Sequence, residues 1–219
     1  MNLIFDLDGT LINSLPGIAQ SLNRSLEQYN FPSHSIEAIR GFIGSGSRML
    51  CQRAVTPNSE APNINTVDKL EEAFKINYQK LWKSGTELYS GISEFLETLA
   101  QDEDHELSIL SNKPNPFTQE IASQLFPPKT FHTVLGQRDG IEKKPDPKGI
   151  QEILDRATNP NQPTFLIGDS IIDLQTARNA GICSIAVLWG FEDLAELKAE
   201  SPTHIVRSTD ELLSLIHSL

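Results

Sequence analysis

The sequence predicts an α/β fold: a parallel sheet wound on both faces by helices, interrupted after its first strand by an all-helical unit. Three observations carry this. From Leu88 onward short apolar runs alternate with amphipathic helical segments, the pattern of a parallel sheet built from strand–helix units. Residues 14–85 show helical periodicity and no convincing strand. The apolar run Leu3–Phe5 precedes that helical stretch, so the first strand is cut off in sequence from the others. The expected organisation is a core of residues 1–13 and 86–219 and a helical unit of residues 14–85.

Leu3–Phe5 reads as a short buried strand ending in Asp6. Leu15, Ile18, Ala19, Leu22 and Leu26 recur at helical spacing, and Asn30-Phe31-Pro32 ends that helix. Further helices are expected around 36–43, 47–55 and 66–83, with a Pro- and Asn-containing loop at 57–65. In the second part, Ile92, Phe95, Leu96, Leu99 and Ala100 line one helix face, and Leu107–Leu110 is a buried strand. A helix with Phe117, Ile121, Ala122 and Leu125 on one face follows Pro114. Phe131–Leu135 is the next strand, and Pro147 opens a helix to residue 156. Thr164–Ile167 is a strand, 170–180 a helix stopped by Gly181, Ser184–Leu188 a strand, and 209–218 a final helix.

Against 29 acidic residues stand 18 lysines and arginines, a formal net charge of -11. That balance argues against nonspecific binding to nucleic acid or an anionic membrane, and no apolar run is long enough to span one. An anionic substrate would need a locally positive pocket. Leu3–Phe5 is too short for a secretory signal, and Cys51 and Cys183 lack metal-site spacing. A cytoplasmic protein with small reduced cysteines is the expectation, monomeric or homodimeric. The histidines form no cluster.

Asp6 and Asp8, two residues apart at a strand end, project together, and their charges repel unless a cation or a proton intervenes. A helix-loop-helix calcium site is excluded, because Leu11 and Gly17 stand where its Gly and Glu belong. In a doubly wound sheet, ligands gather beyond the carboxyl ends of the strands. Four polar clusters are expected there: Asp6-x-Asp8, Ser111-Asn112-Lys113, Lys143-Lys144-Pro145-Asp146-Pro147, and Gly168-Asp169-Ser170-x-x-Asp173. Together they offer acids, a hydroxyl, an amide and lysine to one crevice. Gly44-Ser45-Gly46 is no dinucleotide fingerprint, since Met49 takes the third glycine position and no strand precedes it. No Gly-x-Ser-x-Gly occurs, which disfavours a serine hydrolase.

Those four clusters, in that order, resemble the motifs of the haloacid dehalogenase superfamily over nearly the whole chain. Within it the chain is most similar to bacterial phosphoglycolate phosphatases. That likeness rests on Asp6-Leu7-Asp8-Gly9-Thr10-Leu11-Ile12-Asn13-Ser14, Ile43-Gly44-Ser45-Gly46, Ser111-Asn112-Lys113-Pro114-x-Pro116-Phe117, Lys143–Pro147 and Gly168-Asp169-Ser170-x-x-Asp173-x-Gln175-x-Ala177. Two positions depart from the pattern: Ser111 replaces a frequent Thr and keeps the hydroxyl, and Ser90-Gly91 replaces Pro-Gly.

The resemblance implies a Rossmann-like core with a helical cap hinged near 13–16 and 84–90. It also implies a Mg²⁺-dependent phosphatase for a small anionic metabolite, with 2-phosphoglycolate favoured. Asp6 would attack phosphorus to form an aspartyl-phosphate, and Asp8 would serve as general acid and then base, with a pKa raised by neighbouring carboxylates. Asp6, the Asp8 backbone carbonyl and Asp169 would ligate Mg²⁺. Ser111, the Asn112 N–H and Lys144 would hold phosphoryl oxygens, with Gly9 and Asp173 in support and Gly44, Ser45 and Gly46 as the cap's substrate loop. Lys143 competes with Lys144; adjacency to Pro145 favours Lys144. Lys113 and Arg48 are either substrate contacts or surface charges. The acid at position 8 disfavours a dehalogenase, and the absence of lysine before Lys69 disfavours a Schiff-base phosphonoacetaldehyde hydrolase. A pyrophosphatase, a sugar-phosphate phosphatase or mutase, and an inactive binding module remain open.

Overall fold

The computed structural model describes residues 1–56, 64–102 and 104–219. In chain order the first elements are β1 (Asn2–Phe5), β2 (Ile12–Asn13), α1 (Leu15–Gln28), α2 (Ile36–Arg40), α3 (Ser47–Val55), α4 (Ile64–Leu81), a 3₁₀ turn (Trp82–Ser84) and β3 (Glu87–Leu88). Then come α5 (Ile92–Leu99), β4 (Glu106–Pro114), α6 (Asn115–Leu125), β5 (Thr133–Gln137), α7 (Lys148–Arg156) and β6 (Thr164–Gly168). The chain ends with α8 (Ile171–Ala180), β7 (Cys183–Val187), α9 (Leu194–Ala199), β8 (His204–Val206) and α10 (Thr209–Ile216).

Two compact units result: Met1–Ile12 with Leu88–Leu219, and Asn13–Glu87. The chain passes between them through β2 and β3, which pair as a two-stranded sheet.

The larger unit is built on a six-stranded sheet of order β5-β4-β1-β6-β7-β8, with every pair parallel. Its central strands are buried apolar runs, as expected where helices cover both faces: Leu3, Ile4, Phe5, Leu166, Ile167, Ile185, Ala186 and Val187 are fully sequestered. Ile4, Leu110, Leu135, Ile150, Ile153, Leu166 and Ala177 form one core cluster between sheet and helices. Strand order places the site. From β1 the chain builds outward through β4 to β5, then crosses to the other side of β1 for β6. The switch of direction lies beside β1, where a doubly wound sheet opens a crevice beyond its strand ends.

The smaller unit is helical. Leu22, Leu26, Leu50, Val67, Leu70, Phe74, Tyr78 and Trp82 supply its core. Inside it, buried Asn77 Nδ2 donates to Ser25 Oγ at 2.8 Å, so the polar pair is mutually satisfied. The chain crosses itself closely at Gly17 and Gly85: Gly17 N–H donates to the Gly85 carbonyl at 2.9 Å, and a Cβ on Gly85 would meet Gly17 backbone at 2.4 Å.

The expected strands and helices of the α/β part are present, with boundaries moved by a few residues; β4 runs to Pro114 and carries Ser111-Asn112-Lys113 within it. α9 and β8 had no counterpart in the sequence reading. Of the expected loop at 57–65, residues 57–63 lie outside the described residues, and α4 starts at Ile64.

Candidate active site

Each predicted cluster of the larger unit sits at or just past the carboxyl end of a strand. Asp6 follows β1, its backbone N–H bonded to the Ile167 carbonyl of β6 at 2.9 Å. The turn after it is tight: Leu11 N–H returns to the Leu7 carbonyl at 3.0 Å, and Gly9 has φ 88. Only glycine adopts that conformation readily. A Cβ at Gly9 would also lie 2.1 Å from Asp169 Oδ2. Asp169 follows β6, and Asp173 lies in the first turn of α8.

Asp6, Asp169 and Asp173 bring carboxylate oxygens within 4.8 Å of one another. Lys144 joins them: its Nζ lies 2.9 Å from Asp6 Oδ1 and 2.6 Å from Asp173 Oδ1. Asp6 Oδ1 is ion-paired with that ammonium and accepts no hydrogen bond from any other described residue. Lys143 is exposed, whereas Lys144 is buried in the site.

Burial pushes the Asp6 carboxyl up to about 7 despite Lys144, and the Asp173 and Asp8 charges push it the same way. Burial likewise raises Asp169 well above the usual carboxylate range, with Asp6 and Asp173 adding to the effect. For Lys144, burial alone favours the neutral amine, but Asp173 and Asp6 outweigh it and raise its pKa. Asp6 and Asp173 thus share one buried lysine, and the three clustered acids outnumber it.

Asn112 acts through its side chain. Its Nδ2 donates to the Lys144 carbonyl at 3.0 Å and its Oδ1 accepts from the Lys144 N–H at 2.8 Å, a two-bond amide lock on the lysine's backbone. Asn179 Nδ2 holds the next carbonyl, that of Pro145, at 2.8 Å. Ser111 Oγ accepts the Lys113 N–H at 3.2 Å. Asp173 is fully buried and doubly used. Its Oδ2 accepts from Ser170 Oγ at 2.5 Å and from Ser170 N–H at 3.2 Å, closing a capping box on α8, while Oδ1 faces Lys144.

Asp8 has a partner that the sequence did not single out for it. Lys113 Nζ grips its carboxylate by both oxygens, at 2.9 and 3.0 Å, with the lysine itself buried. An ammonium thus stands beside Asp8, and Asp8's expected metal contact, a backbone carbonyl, leaves this side-chain pairing intact.

Sequence reasoning missed several residues that hold the acids in place. Thr10 Oγ1 donates to Asp169 Oδ1 at 2.9 Å, and Phe191 N–H donates to Asp169 Oδ2 at 2.8 Å. Trp189 Nε1 donates to the Thr10 carbonyl at 2.9 Å. Thr10 was visible within the opening motif; Phe191 acts through its backbone, which leaves no side-chain signature.

Gly44, Ser45 and Gly46 belong to the smaller unit, in the turn between α2 and α3, with φ of 101 and 87 at the two glycines. Arg53, unremarked in the sequence, donates to the Phe42 carbonyl at 2.9 Å and to Ser45 Oγ at 3.1 Å, fixing that turn. Arg48 pairs with Asp68 and Glu71 of α4.

Residues 3–187 match the family model for haloacid dehalogenase-like hydrolases. The chain belongs to that family. Among curated haloacid dehalogenase-like relatives, the phosphoglycolate phosphatase of Vibrio parahaemolyticus is 30% identical over 98% of this chain and 95% of its own length. That of Psychrobacter arcticus is 32% identical over 92% and 89%. A crystal structure from Lactobacillus delbrueckii subsp. bulgaricus, provisionally named a phosphoglycolate phosphatase, superposes with TM-score 0.91 at 31% identity, covering 98% and 97% of the two chains. This family is hydrolytic, and the clustered acids lie where its fold opens a crevice.

Proposed function

We propose that the protein is a Mg²⁺-dependent phosphatase that hydrolyses a small phosphomonoester, with 2-phosphoglycolate the favoured substrate, through an aspartyl-phosphate on Asp6. The observation that carries this is the Asp6–Lys144–Asp173 chain beside Asp169 at the switch point of the sheet. The relatives' shared name supplies the substrate class. A reduced-cysteine, acidic protein of this kind suits the cytoplasm.

The donor set fits a hard divalent cation. It is all oxygen, it leaves one buried Asp6 oxygen with no described partner beyond the Lys144 ammonium, and burial raises both Asp6 and Asp169 above the usual carboxylate range. Asp6, Asp169 and the Asp8 backbone carbonyl would hold Mg²⁺, which when bound neutralises charge between the nucleophile and the phosphate dianion. Asp173 stays with Lys144 and the helix cap, where both its oxygens are engaged.

In the first step a carboxylate oxygen of Asp6 forms a bond to phosphorus while the ester P–O bond breaks, and the departing alkoxide takes a proton from Asp8. In the second, water attacks the phosphoryl group and gives its proton to Asp8. Phosphate leaves, and the Asp6 carboxylate is restored. Lys113, bonded to both Asp8 oxygens, fixes where that proton is delivered and collected. Lys144, its backbone locked by Asn112, lies beside Asp6 to neutralise phosphoryl oxygens, with the Ser111 hydroxyl as a further donor.

The experiment is a panel of phosphorylated metabolites scored by kcat/KM with Mg²⁺ and with EDTA. The reading expects 2-phosphoglycolate to rank first and EDTA to abolish turnover; a preference for pyrophosphate or a hexose phosphate would displace it.

A further inference from the structure

Asp169 is closely held on both carboxylate oxygens. Its side chain lies in a slot between two glycines: a Cβ on Gly9 would stand 2.1 Å from its Oδ2, and a Cβ on Gly190 would stand 2.2 Å from its Cβ and 2.4 Å from Oδ2. Each carboxylate oxygen accepts one hydrogen bond, Oδ1 from Thr10 and Oδ2 from Phe191 N–H. A carboxylate offers about four lone-pair sites, so one on each oxygen stays available while the group cannot rotate.

One wall of this slot is the turn that follows β7, Leu188-Trp189-Gly190-Phe191-Glu192. Almost every residue in it is tied to a site element. Leu188 N–H bonds the Val206 carbonyl at 3.0 Å. Trp189 Nε1 bonds the Thr10 carbonyl at 2.9 Å, in the same residue whose hydroxyl holds Asp169. Glu192 Oε2 accepts the Ile171 N–H at 2.6 Å, two residues beyond Asp169 at the start of α8. The turn therefore touches Asp169 directly through Phe191, and indirectly from both flanks through Thr10 and Ile171.

We propose that the turn Trp189–Glu192 is a positioning clamp that sets the orientation of the Asp169 carboxylate for the divalent cation, with Gly190 supplying the space and Phe191 N–H and Trp189 the fixed contacts. This rests on the reading of Asp169 as a metal ligand. Outer groups that orient a ligand commonly change metal affinity by about 10–100-fold when lost. Gly190 is the sharpest handle, because the three atoms nearest the methyl group of an alanine there all belong to Asp169, and its backbone is not in the left-handed region.

The test is calorimetric titration of the metal-free protein with MgCl₂, alongside thermal melts. Gly190→Ala is expected to bind Mg²⁺ about 10–100-fold more weakly while retaining a cooperative melt. Gly149→Ala is the control: the three atoms nearest its methyl are side-chain atoms of Leu110, the closest at 2.6 Å, and none belongs to an acid, so it should lower Tm and leave Mg²⁺ affinity as in the wild type. If Gly190→Ala does not fold, Trp189→Phe, which loses the indole N–H bond to Thr10 along with part of the ring, decides, and it should also weaken Mg²⁺. Wild-type affinity in the folded Gly190→Ala protein, or failing that in Trp189→Phe, overturns the clamp. A wild-type protein that binds no Mg²⁺ instead overturns the metal reading beneath it.

Discussion

Lys144 Nζ stands 2.9 Å from Asp6 Oδ1 and reaches Asp173 Oδ1 on its other side at 2.6 Å, so one buried ammonium links the expected nucleophile to the cap of α8. Removing it should do two separable things. Lys144→Met is expected to lower kcat/KM by about 10²–10³-fold through loss of charge stabilisation. It should also destabilise the protein by about 3–5 kcal/mol, because the buried Asp173 would lose the ammonium it pairs with. Combining it with Asp173→Asn removes that carboxylate, so Tm should recover while activity does not. Paired kinetics and melts check both; recovery of activity in the double variant would contradict the role given to Lys144.

The pairing of Asp8 with Lys113 leads to a kinetic prediction. p-Nitrophenolate leaves without help from an acid, whereas the attack of water on the acyl phosphate needs a base. Asp8→Asn should therefore release a burst of about one p-nitrophenol per site from p-nitrophenyl phosphate and then turn over slowly. With an alkyl phosphate it should show no burst. A rapid-quench time course distinguishes these, and steady turnover without a burst on the aryl ester would place the proton transfer elsewhere.

The raised acids make the metal-free protein sensitive to pH in a defined sense. Burial lifts Asp6 from the ordinary 3.8 to about 7, so between those values the native state holds a proton that the unfolded chain has released. Stability is then fully present below the ordinary value and is lost as pH rises toward about 7. Glu192, pushed by burial to about 7, adds in the same direction. Mg²⁺ binding needs the deprotonated carboxylates and runs the opposite way, weakening about tenfold per pH unit below 7 for each proton displaced. Melts from about pH 5 to about pH 8 should show Tm falling in EDTA and the Mg²⁺-induced rise in Tm growing. A Tm in EDTA that climbs across this window would contradict the burial argument.

What could be read from the sequence, and what could not, follows from where the information resides. The strand ends were legible because apolar runs break sharply into paired or spaced acids, as at Phe5-Asp6 and Gly168-Asp169. β8 and α9 were not: His204–Val206 is three residues at a sheet edge, and Leu194–Ala199 is six, too short for periodicity to register. Side-chain partners across the sheet were also invisible. Nothing local to Asp8 points to Lys113, which the parallel pairing of β1 and β4 brings to it. Gly190 and Phe191 escaped because they contribute empty space and a backbone N–H, neither of which has a residue-type signature.

The covalent step on Asp6 is the centre of the account. The measurement that bears on it most directly is borohydride trapping during turnover of 2-phosphoglycolate with Mg²⁺, followed by mass spectrometry of the peptide carrying residues 1–24. An acyl phosphate is reduced where a free carboxylate is not, so homoserine at position 6 in the wild type, and none in Asp6→Asn, is the predicted result. Full activity in Asp6→Asn, or homoserine at another aspartate, would contradict it.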